Sequence, residues 1–475
     1  MQGLHTLRRL LLSSAALTGL ALSTSAQTTW YVDDDGPGDP LPGVSVPGNP
    51  AFSDPIEDGS AAHPFDDLYK AVNAATNGDE ILVLPSNVSG SYPLSSQLNL
   101  LGKQITIRST DGPEVTALTG ASLPNYGILV NGDSTLEGLT FSNFNPGPGG
   151  GAGAMYIYVC SPTIRNCVFT EGDAYLGGGI RTYYSDPLIE HCRFESNTAF
   201  HQGGAIYVEA GDPLIRHCTF EDNEAGYGGA ILIRSFSTSL TRIQDCLFRA
   251  NRSTIAYTGA VAKFDSGRVI VDRCRFLANE AINEGSAVLL SGPGTVRNSL
   301  FDGNVCSAGN GTILVRSGSV VTIAGCTLVD NTGGGVVAFG SAQTTLRNSI
   351  VRGNGVELTN VTDVGYCNVL GGSPGIGNLD ADPAFRDRNG ADGLPGTIDD
   401  DLSILRGSPC VDAGETLAVE SPLDLNGNPR VFGVKGVADV GTSTLGQAVD
   451  IGCHEFVHRF APLRSQAPGP LGSRP

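Results

Sequence analysis

The feature that most constrains this sequence is a repeat of 23 to 28 residues that runs through its middle. Each unit consists of an aliphatic residue, two variable residues, Cys or Ser, one further variable residue, and an apolar residue that is most often Phe. The Cys or Ser positions of the eight copies are Cys167, Cys192, Cys218, Cys246, Cys274, Ser299, Cys326 and Ser349. A short unit repeated this often predicts one elongated stack, because each unit buries its apolar side only against its neighbours.

Side-chain alternation divides each repeat into three short strands. Cys192 and Phe194 are two residues apart and face the same side of a strand, whereas Ile189 precedes the cysteine by three residues and requires a bend. A second bend is predicted after the Phe, where an Asn recurs that tolerates the left-handed conformation. Gly203-Gly204 then leads into a third strand. Three strands per coil, stacked in register, predict an all-β solenoid, the parallel β-helix.

Two motifs of the repeat carry a resemblance to known families. Phe-x-x-Asn at 194–197 and 220–223 alternates with Gly-Gly-Ala-Ile at 203–206 and 228–231. These motifs resemble the repeats of polymorphic outer-membrane-type adhesins and of the wider right-handed parallel β-helix, or pectin-lyase-like, families. The resemblance covers roughly residues 80–370 and implies a right-handed solenoid. It implies no single activity, because the fold hosts lyases, hydrolases, adhesins and binding proteins.

The flanks of the repeat predict an exported chain with a cap at each end. Arg8 and Arg9 precede an apolar run and small residues that end at Ala26, which is the order of a secretory signal peptide. Apolar spacing over 64–77 predicts a short helix that covers the first coil. The predicted organisation is a signal peptide (1–26), an N-terminal cap with the first coils (27–125), the regular β-helix (126–370), an irregular acidic capping segment (371–456) and a disordered tail (457–475).

Charge and hydropathy exclude two classes of partner. The chain has 29 Lys and Arg residues against 48 Asp and Glu, a formal net charge of −19. A chain this acidic is a poor partner for nucleic acid. After the signal peptide no apolar stretch has the length of a membrane span. We therefore expect a secreted or cell-surface protein with no transmembrane segment in the mature chain.

Eleven cysteines in an exported chain would normally indicate a disulfide framework. Six of them share a repeat column with Ser299 and Ser349, which favours a buried stack of small side chains over bridges between coils. Cys410 and Cys453 lie outside the column, each in a loop with Asp and Gly. We expect a disulfide between these two.

The residues of a polysaccharide lyase or hydrolase cannot be matched one by one. Such enzymes combine carboxylates, often with calcium, with an Arg or Lys base, or use a small group of Asp residues. Arg193 and Arg275 face outward three coils apart, with no acidic cluster in their column. His191, His217 and Asp245 share one bend in consecutive coils, which suits either a transition metal or ordinary solvated bend residues.

Aromatic side chains gather between the Asn and Gly-Gly positions and on the adjacent strands. Such rings either stack on sugars or shield the coil edges. The candidates for carbohydrate contact are Tyr183, Phe200, His201, Tyr207, Tyr227 and Tyr257. We expect a non-catalytic exported protein that binds a polysaccharide or cell-surface glycan. The alternatives are a polysaccharide lyase or hydrolase, such as a pectate-lyase-like enzyme, and a structural surface or adhesin component.

An acidic loop after the last coil predicts a structural calcium site. Its oxygen donors are Asp387, Asn389, Asp392, Asp399, Asp400 and Asp401. Closely spaced Asp and Asn with Gly between them supply the carboxylates and carbonyls that calcium prefers, although the spacing departs from that of an EF-hand. The alternative is a solvated acidic turn. Bound calcium is expected to order residues 380–456 and close the open end of the solenoid.

Overall fold

Strands from successive coils pair in parallel and build three long sheets in a computed structural model of the chain. Sheet 1 contains 13 strands, sheet 2 contains 12 and sheet 3 contains 11, and a shorter sheet 4 contains six. The structure describes residues 26–33, 57–86, 90–121, 123–146, 149, 151–236, 239–255, 258–416, 421–430 and 449–456. The predicted all-β solenoid with three main strands per coil is confirmed. The predicted signal peptide and C-terminal tail lie outside the described residues, apart from Ala26.

The strands of each sheet follow one another along the solenoid axis. Sheet 1 consists of Thr29–Val32, Glu80–Val83, Thr106–Ser109, Thr135–Glu137, Thr163–Arg165, Leu188–Glu190, Leu214–Arg216, Leu240–Gln244, Arg268–Asp272, Gly294–Arg297, Val320–Ala324, Gln343–Arg347 and Asp363–Gly365. Sheet 2 consists of Tyr92–Pro93, Ala117–Ala121, Thr140–Asn145, Val168–Thr170, Arg193–Glu195, Thr219–Glu221, Leu247–Arg249, Arg275–Leu277, Leu300–Asp302, Thr327–Val329, Ile350–Arg352 and Asn368–Val369.

The other two sheets complete the coils. Sheet 3 consists of Leu98–Asn99, Ile128–Val130, Met155–Tyr158, Ile180–Tyr183, Ile206–Glu209, Ile231–Arg234, Val261–Phe264, Val288–Leu290, Ile313–Val315, Val336–Ala338 and Leu358–Thr359. Sheet 4 consists of Asp173–Leu176, Thr198–Gln202, Glu224–Tyr227, Arg252–Ser253, Glu280–Ala281 and Val305–Cys306. Sheet 4 was not predicted, and it occupies the stretch between the Asn and the Gly-Gly pair. After the last coil, Phe385–Asp387 and Asp401–Ile404 form an antiparallel hairpin.

The predicted N-terminal helix is present but short. It spans Leu68–Ala74, and the Asp67 side chain caps it by accepting a hydrogen bond from the backbone N–H of Lys70 at 2.8 Å. Its buried residues pack into the N-terminal end of the solenoid core. In the described part of the chain, no helix has the length and apolar composition that a membrane span requires.

The bend between sheets 1 and 2 is made by a single left-handed residue. His191, His217 and Asp245 have φ angles of 53°, 52° and 52° at this position. The turn directs Ile189 and Cys192 into the interior, where both are buried. The bend predicted from the spacing of these two residues is confirmed.

The recurrent Asn acts differently from the prediction. The left-handed residue at this bend is the one before it, as at Asp222 with a φ of 52°. Asn223 itself is buried, and its Nδ2 donates to the backbone oxygen of Phe194 and to Oδ1 of Asn251, both at 2.9 Å. The same two bonds recur from coil to coil, because stacked coils place equivalent amides side by side. The ladder comprises Asn197, Asn223, Asn251, Asn279, Asn304, Asn331 and Asn354.

Columns of identical residues fill the core beside this ladder. Ring centroids of successive phenylalanines lie 4.7–4.8 Å apart along the stack of Phe141, Phe169, Phe194, Phe220, Phe248, Phe276 and Phe301. All six repeat cysteines are buried free thiols. The predicted Cys column is therefore confirmed, and the phenylalanines that share its strand face also stack in the interior.

The later part of the C-terminal segment packs along the side of the solenoid. Leu402, Leu425 and Cys453 contact Leu277, Leu300 and Val329 on the outer face of sheet 2. A buried ion pair between Arg430 and Glu455, at 3.1 Å, lies within this segment. The first part of the segment extends the last coil, where Leu379 pairs in parallel with Asn368. Closure of the open end by bound calcium stays a prediction.

Removing one rung of the Asn ladder should destabilise the whole stack. Asn251→Ala deletes four hydrogen bonds, two accepted from Asn223 and two donated to Phe220 and Asn279. Because buried partners are left unsatisfied, we expect the free energy of unfolding to fall by about 3–5 kcal/mol, measured by urea denaturation. Asn283→Ala, in an exposed turn, is the control. A loss below about 1 kcal/mol for Asn251→Ala would contradict this role.

Candidate functional site

The outer face of sheet 3 carries aromatic, cationic and aliphatic side chains in one row. Because strand residues alternate between faces, Tyr156, Arg181, Tyr207 and Leu232 point outward from four consecutive coils. The Arg181 guanidinium lies over the rings of Tyr156 and Tyr207, with centroid distances of 5.1 and 5.8 Å. This arrangement joins aromatic and cationic groups on one rigid surface.

A cleft of about 350 Å³ opens where this face meets sheet 4. His201, Gln202 and Tyr227 line it from two adjacent strands of sheet 4. The remaining lining residues lie on sheet 3 or in the turns that follow its strands: Leu232, Arg234, Phe264, Asp265 and Arg316. We call this site the sheet 3/4 cleft.

The charges around the sheet 3/4 cleft are balanced. Arg234 Nε lies 3.4 Å from an oxygen of Asp265, and Arg316 donates to Glu284 at 2.6 Å. The Arg316 guanidinium also lies over the Phe264 ring, 5.6 Å from its centroid. The cleft therefore offers both hydrogen-bond donors and acceptors without a net charge.

Three of the predicted carbohydrate contacts lie at this cleft or next to it. His201 and Tyr227 line it, and their ring centroids lie 5.1 Å apart in an edge-to-face arrangement. Phe200 neighbours His201 in the same strand and is 62% exposed. The structure brings these rings together, and sugar contact by them stays a prediction.

Two other predicted contacts, Tyr183 and Tyr207, do not line the cleft. Tyr183 stacks on Tyr158 with centroids 5.5 Å apart, so the facing sides of these two rings cover each other. Tyr207 is only 3% exposed and packs against Leu232 in the floor of the surface, so it presents no ring face to a ligand. Tyr257 lies outside the described residues.

The sequence interpretation missed most of the cleft lining. Alternation along the third strand places Leu232 and Arg234 outward and could have identified them. Arg316 follows a strand three coils further on and reaches the cleft only because of its side-chain length. No local pattern in the sequence indicates that contact.

A group of carboxylates forms a second site in the acidic loop. Oxygens of Asp392, Asp399 and Asp400 all lie within 4.8 Å of one another. Asp387 and Asp401 instead pair across the hairpin, where Asp401 lies 3.2 Å from Arg386 Nε. Asn389 is exposed in the following turn. The structure thus assembles three of the six predicted calcium donors.

A fourth carboxylate, missed from the sequence, lies beneath this group. Asp302 ends a strand of sheet 2 and is 1% exposed, and neither of its side-chain oxygens has a hydrogen-bond partner among the described residues. Burial, followed by the adjacent Asp400 carboxylate, raises the pKa of Asp302 to about 8.

The remaining candidate sites are not assembled. His191 and His217 stack with centroids 4.8 Å apart, but Asp245 binds Arg273 through two hydrogen bonds of 2.7 and 2.8 Å. Within the described ranges, the His-His-Asp column is therefore not gathered around a metal position. Arg193 is engaged by two glutamates, and Arg275 donates to Asn426 at 2.9 Å.

The predicted Cys410–Cys453 disulfide is wrong. Both residues are free, buried thiols that belong to different apolar clusters. Cys410 packs with Ile404 and accepts a hydrogen bond from Asn368 Nδ2 at 3.2 Å. Burial in separate clusters explains why two cysteines outside the repeat column do not meet.

Comparison with known families now identifies the fold family. The family described as the right-handed β-helix region matches residues 126–295 and 261–378, which together exceed half of the chain. The chain belongs to the right-handed β-helix family. The further resemblance to outer-membrane-type adhesin repeats stays a prediction.

Solved structures with a similar fold share little sequence with this β-helix protein. Pectate lyase Pel9A is 15% identical, with 91% of this chain and 97% of that chain covered and a TM-score of 0.41. The PL6 family alginate lyase AlyGC is 14% identical, with 73% of this chain and 59% of that chain covered and a TM-score of 0.36. The A-module of the Azotobacter vinelandii mannuronan C-5 epimerase AlgE6 is 13% identical, with 66% of this chain and 93% of that chain covered and a TM-score of 0.27. With TM-scores below 0.5, these likenesses carry no argument about the fold or the activity of this chain. A search of curated proteins gave no match.

The number of free cysteine thiols in the β-helix protein can be measured by alkylation. Burial raises the pKa of the Cys453 thiol to about 11 and also raises that of Cys410, so both resist alkylation in the native protein. We expect mass spectrometry to find no alkylated cysteine before denaturation and all eleven after it, without a reductant. If only nine cysteines, eleven minus two, were alkylated after denaturation, the result would support a Cys410–Cys453 disulfide.

Proposed function

We propose that this β-helix protein binds a neutral polysaccharide in the sheet 3/4 cleft and does not cleave it. The observation that carries the proposal is the lining of the cleft, where aromatic rings and charge-balanced hydrogen-bonding groups share an open surface. Proteins recognise sugars through this combination, because a sugar ring has apolar C–H faces and a polar rim of hydroxyls.

The aromatic rings suit an extended sugar chain better than a small compact ligand. His201 and Tyr227 line the cleft from sheet 4, and Phe264 lines it from sheet 3. Phe200, which is 62% exposed, continues the aromatic surface beyond the rim. A chain of several sugars would contact these rings in succession while Arg234 and Gln202 bind its hydroxyls.

The electrostatics favour a neutral glycan over a polyuronate. Each cleft arginine has a carboxylate partner, Asp265 for Arg234 and Glu284 for Arg316, so a sugar carboxylate would have to displace it. The formal net charge of −19 also opposes the approach of a polyanion. A neutral glycan neither has to displace these carboxylates nor is repelled by the net negative charge.

The arrangement of carboxylates favours binding over cleavage. Among the residues that line the cleft, Asp265 is the single carboxylate, and Arg234 lies beside it. Cleavage of a polysaccharide requires either paired carboxylates or a base with an acidified proton. The larger carboxylate group lies in the acidic loop beside sheet 2, and none of its residues lines the cleft.

Affinity measurements on a glycan panel test the proposal. We expect isothermal titration to detect neutral glucans, xylans or mannans, and Tyr227→Ala to weaken that binding about 10-fold through loss of a central aromatic contact. Tyr158→Ala is the matched control, because this tyrosine is 42% exposed on the same sheet but outside the cleft lining.

Two results would contradict this function. One is binding confined to polygalacturonate or alginate. The other is the release of reducing ends or unsaturated products from any polymer in the panel, which would establish the lyase or hydrolase alternative.

A further inference from the structure

We infer that Asp302, Asp392, Asp399 and Asp400 form a calcium site that fastens the C-terminal segment to the side of the β-helix. This inference is independent of the proposed glycan site, which lies on other sheets. It extends the calcium prediction made for the acidic loop by adding a ligand from the solenoid itself.

The loop alone supplies three converging carboxylates. Their oxygens lie within 4.8 Å of one another, close enough to share one ion. Backbone N–H groups position them: Asp399 accepts from Ala391 at 2.6 Å, and Asp400 accepts from Thr397 at 2.9 Å. These bonds orient the carboxylates but leave oxygen lone pairs available.

Asp302 is the independent observation that points to a ligand. Its carboxylate is 1% exposed, both oxygens lack a hydrogen-bond partner among the described residues, and it lies next to the Asp400 carboxylate. When Asp302 is ionised, its burial is costly and the Asp400 carboxylate beside it adds repulsion. A cation between them removes both costs.

The nearby arginines are already engaged. Arg388 forms an ion pair with Asp330, and Arg386 lies 3.2 Å from Asp401. Within the described ranges, none of the four carboxylates forms an ion pair with Lys or Arg. No cationic side chain of the described residues therefore offsets the negative charge of this group.

The donor set selects the class of cation. The three converging carboxylates and the adjacent Asp302 include neither His nor Cys, which favours a hard cation over zinc or copper. Asp392 and Asp399 are exposed, so water can complete a shell of six to eight oxygens. This adaptable shell suits calcium better than magnesium, which requires a strict octahedron.

The position of Asp302 indicates that the ion would link two segments of the chain. Asp302 belongs to a strand of sheet 2, whereas the other three ligands belong to the segment that lies against this sheet. The two backbones approach closely here. A Cβ added at Gly303 would lie only 2.8 Å from Cα of Gly396. One ion would thus link the segment to the β-helix at this contact.

Calcium titration of the full chain, after treatment with a chelator, tests the inference. We expect one calcium per chain at micromolar to millimolar concentration, a higher melting temperature and slower hydrogen exchange in 385–404. Asp399→Asn should weaken binding at least 10-fold. Asp222→Asn, at an exposed bend of the solenoid, is the matched control and should bind calcium normally.

A second variant separates ligand loss from misfolding. Asp302→Asn keeps the shape of the buried side chain and removes its charge, so the calcium-free protein should melt no lower than the unmodified protein while its calcium response is lost. The inference is overturned if the unmodified protein gives neither heat nor a thermal shift at millimolar calcium. It is equally overturned if both variants retain full affinity, or if magnesium binds as tightly as calcium.

Discussion

In-register stacking of the coils is the constraint on which the rest of this structure depends. Because successive strands lie about 4.8 Å apart, each position of the repeat becomes a column of neighbouring side chains. In the Asn column, this spacing lets each side-chain amide donate hydrogen bonds to the coil before it and the coil after it. A shift of register at one coil would break these buried bonds and misplace the Phe column at the same time.

The same stacking positions the candidate binding surface. The Asn bends start the strands of sheet 4, and the Gly-Gly pairs then return the chain to sheet 3. Gly203 has a φ of +64°, and a Cβ there would lie 2.2 Å from the Ile206 carbonyl oxygen, so this return requires glycine. The sheet 3/4 cleft forms where the two sheets meet, which brings His201, Tyr227 and Phe264 together although they lie in different coils.

The repeat made the solenoid, its bends and its core columns predictable, because these depend on residues close in sequence. The role of the Asn was misjudged, since a single repeat shows a turn residue but not its bonds to the next coil. The C-terminal segment, the separation of Cys410 from Cys453 and the contact of Asp302 with Asp400 depend on where distant segments pack. The cleft was predictable only in part, through the rings of sheet 4 and not through Arg316.

Hydrogen exchange measured by mass spectrometry, with and without a saturating neutral oligosaccharide, tests the central claim that the sheet 3/4 cleft is the binding surface. The account predicts slower exchange in the adjacent strands Thr198–Gln202 and Glu224–Tyr227 and around Phe264, with the outer face of sheet 2 unchanged. Protection confined to sheet 2 or to the acidic loop 387–401, or no protection at saturation, would contradict it.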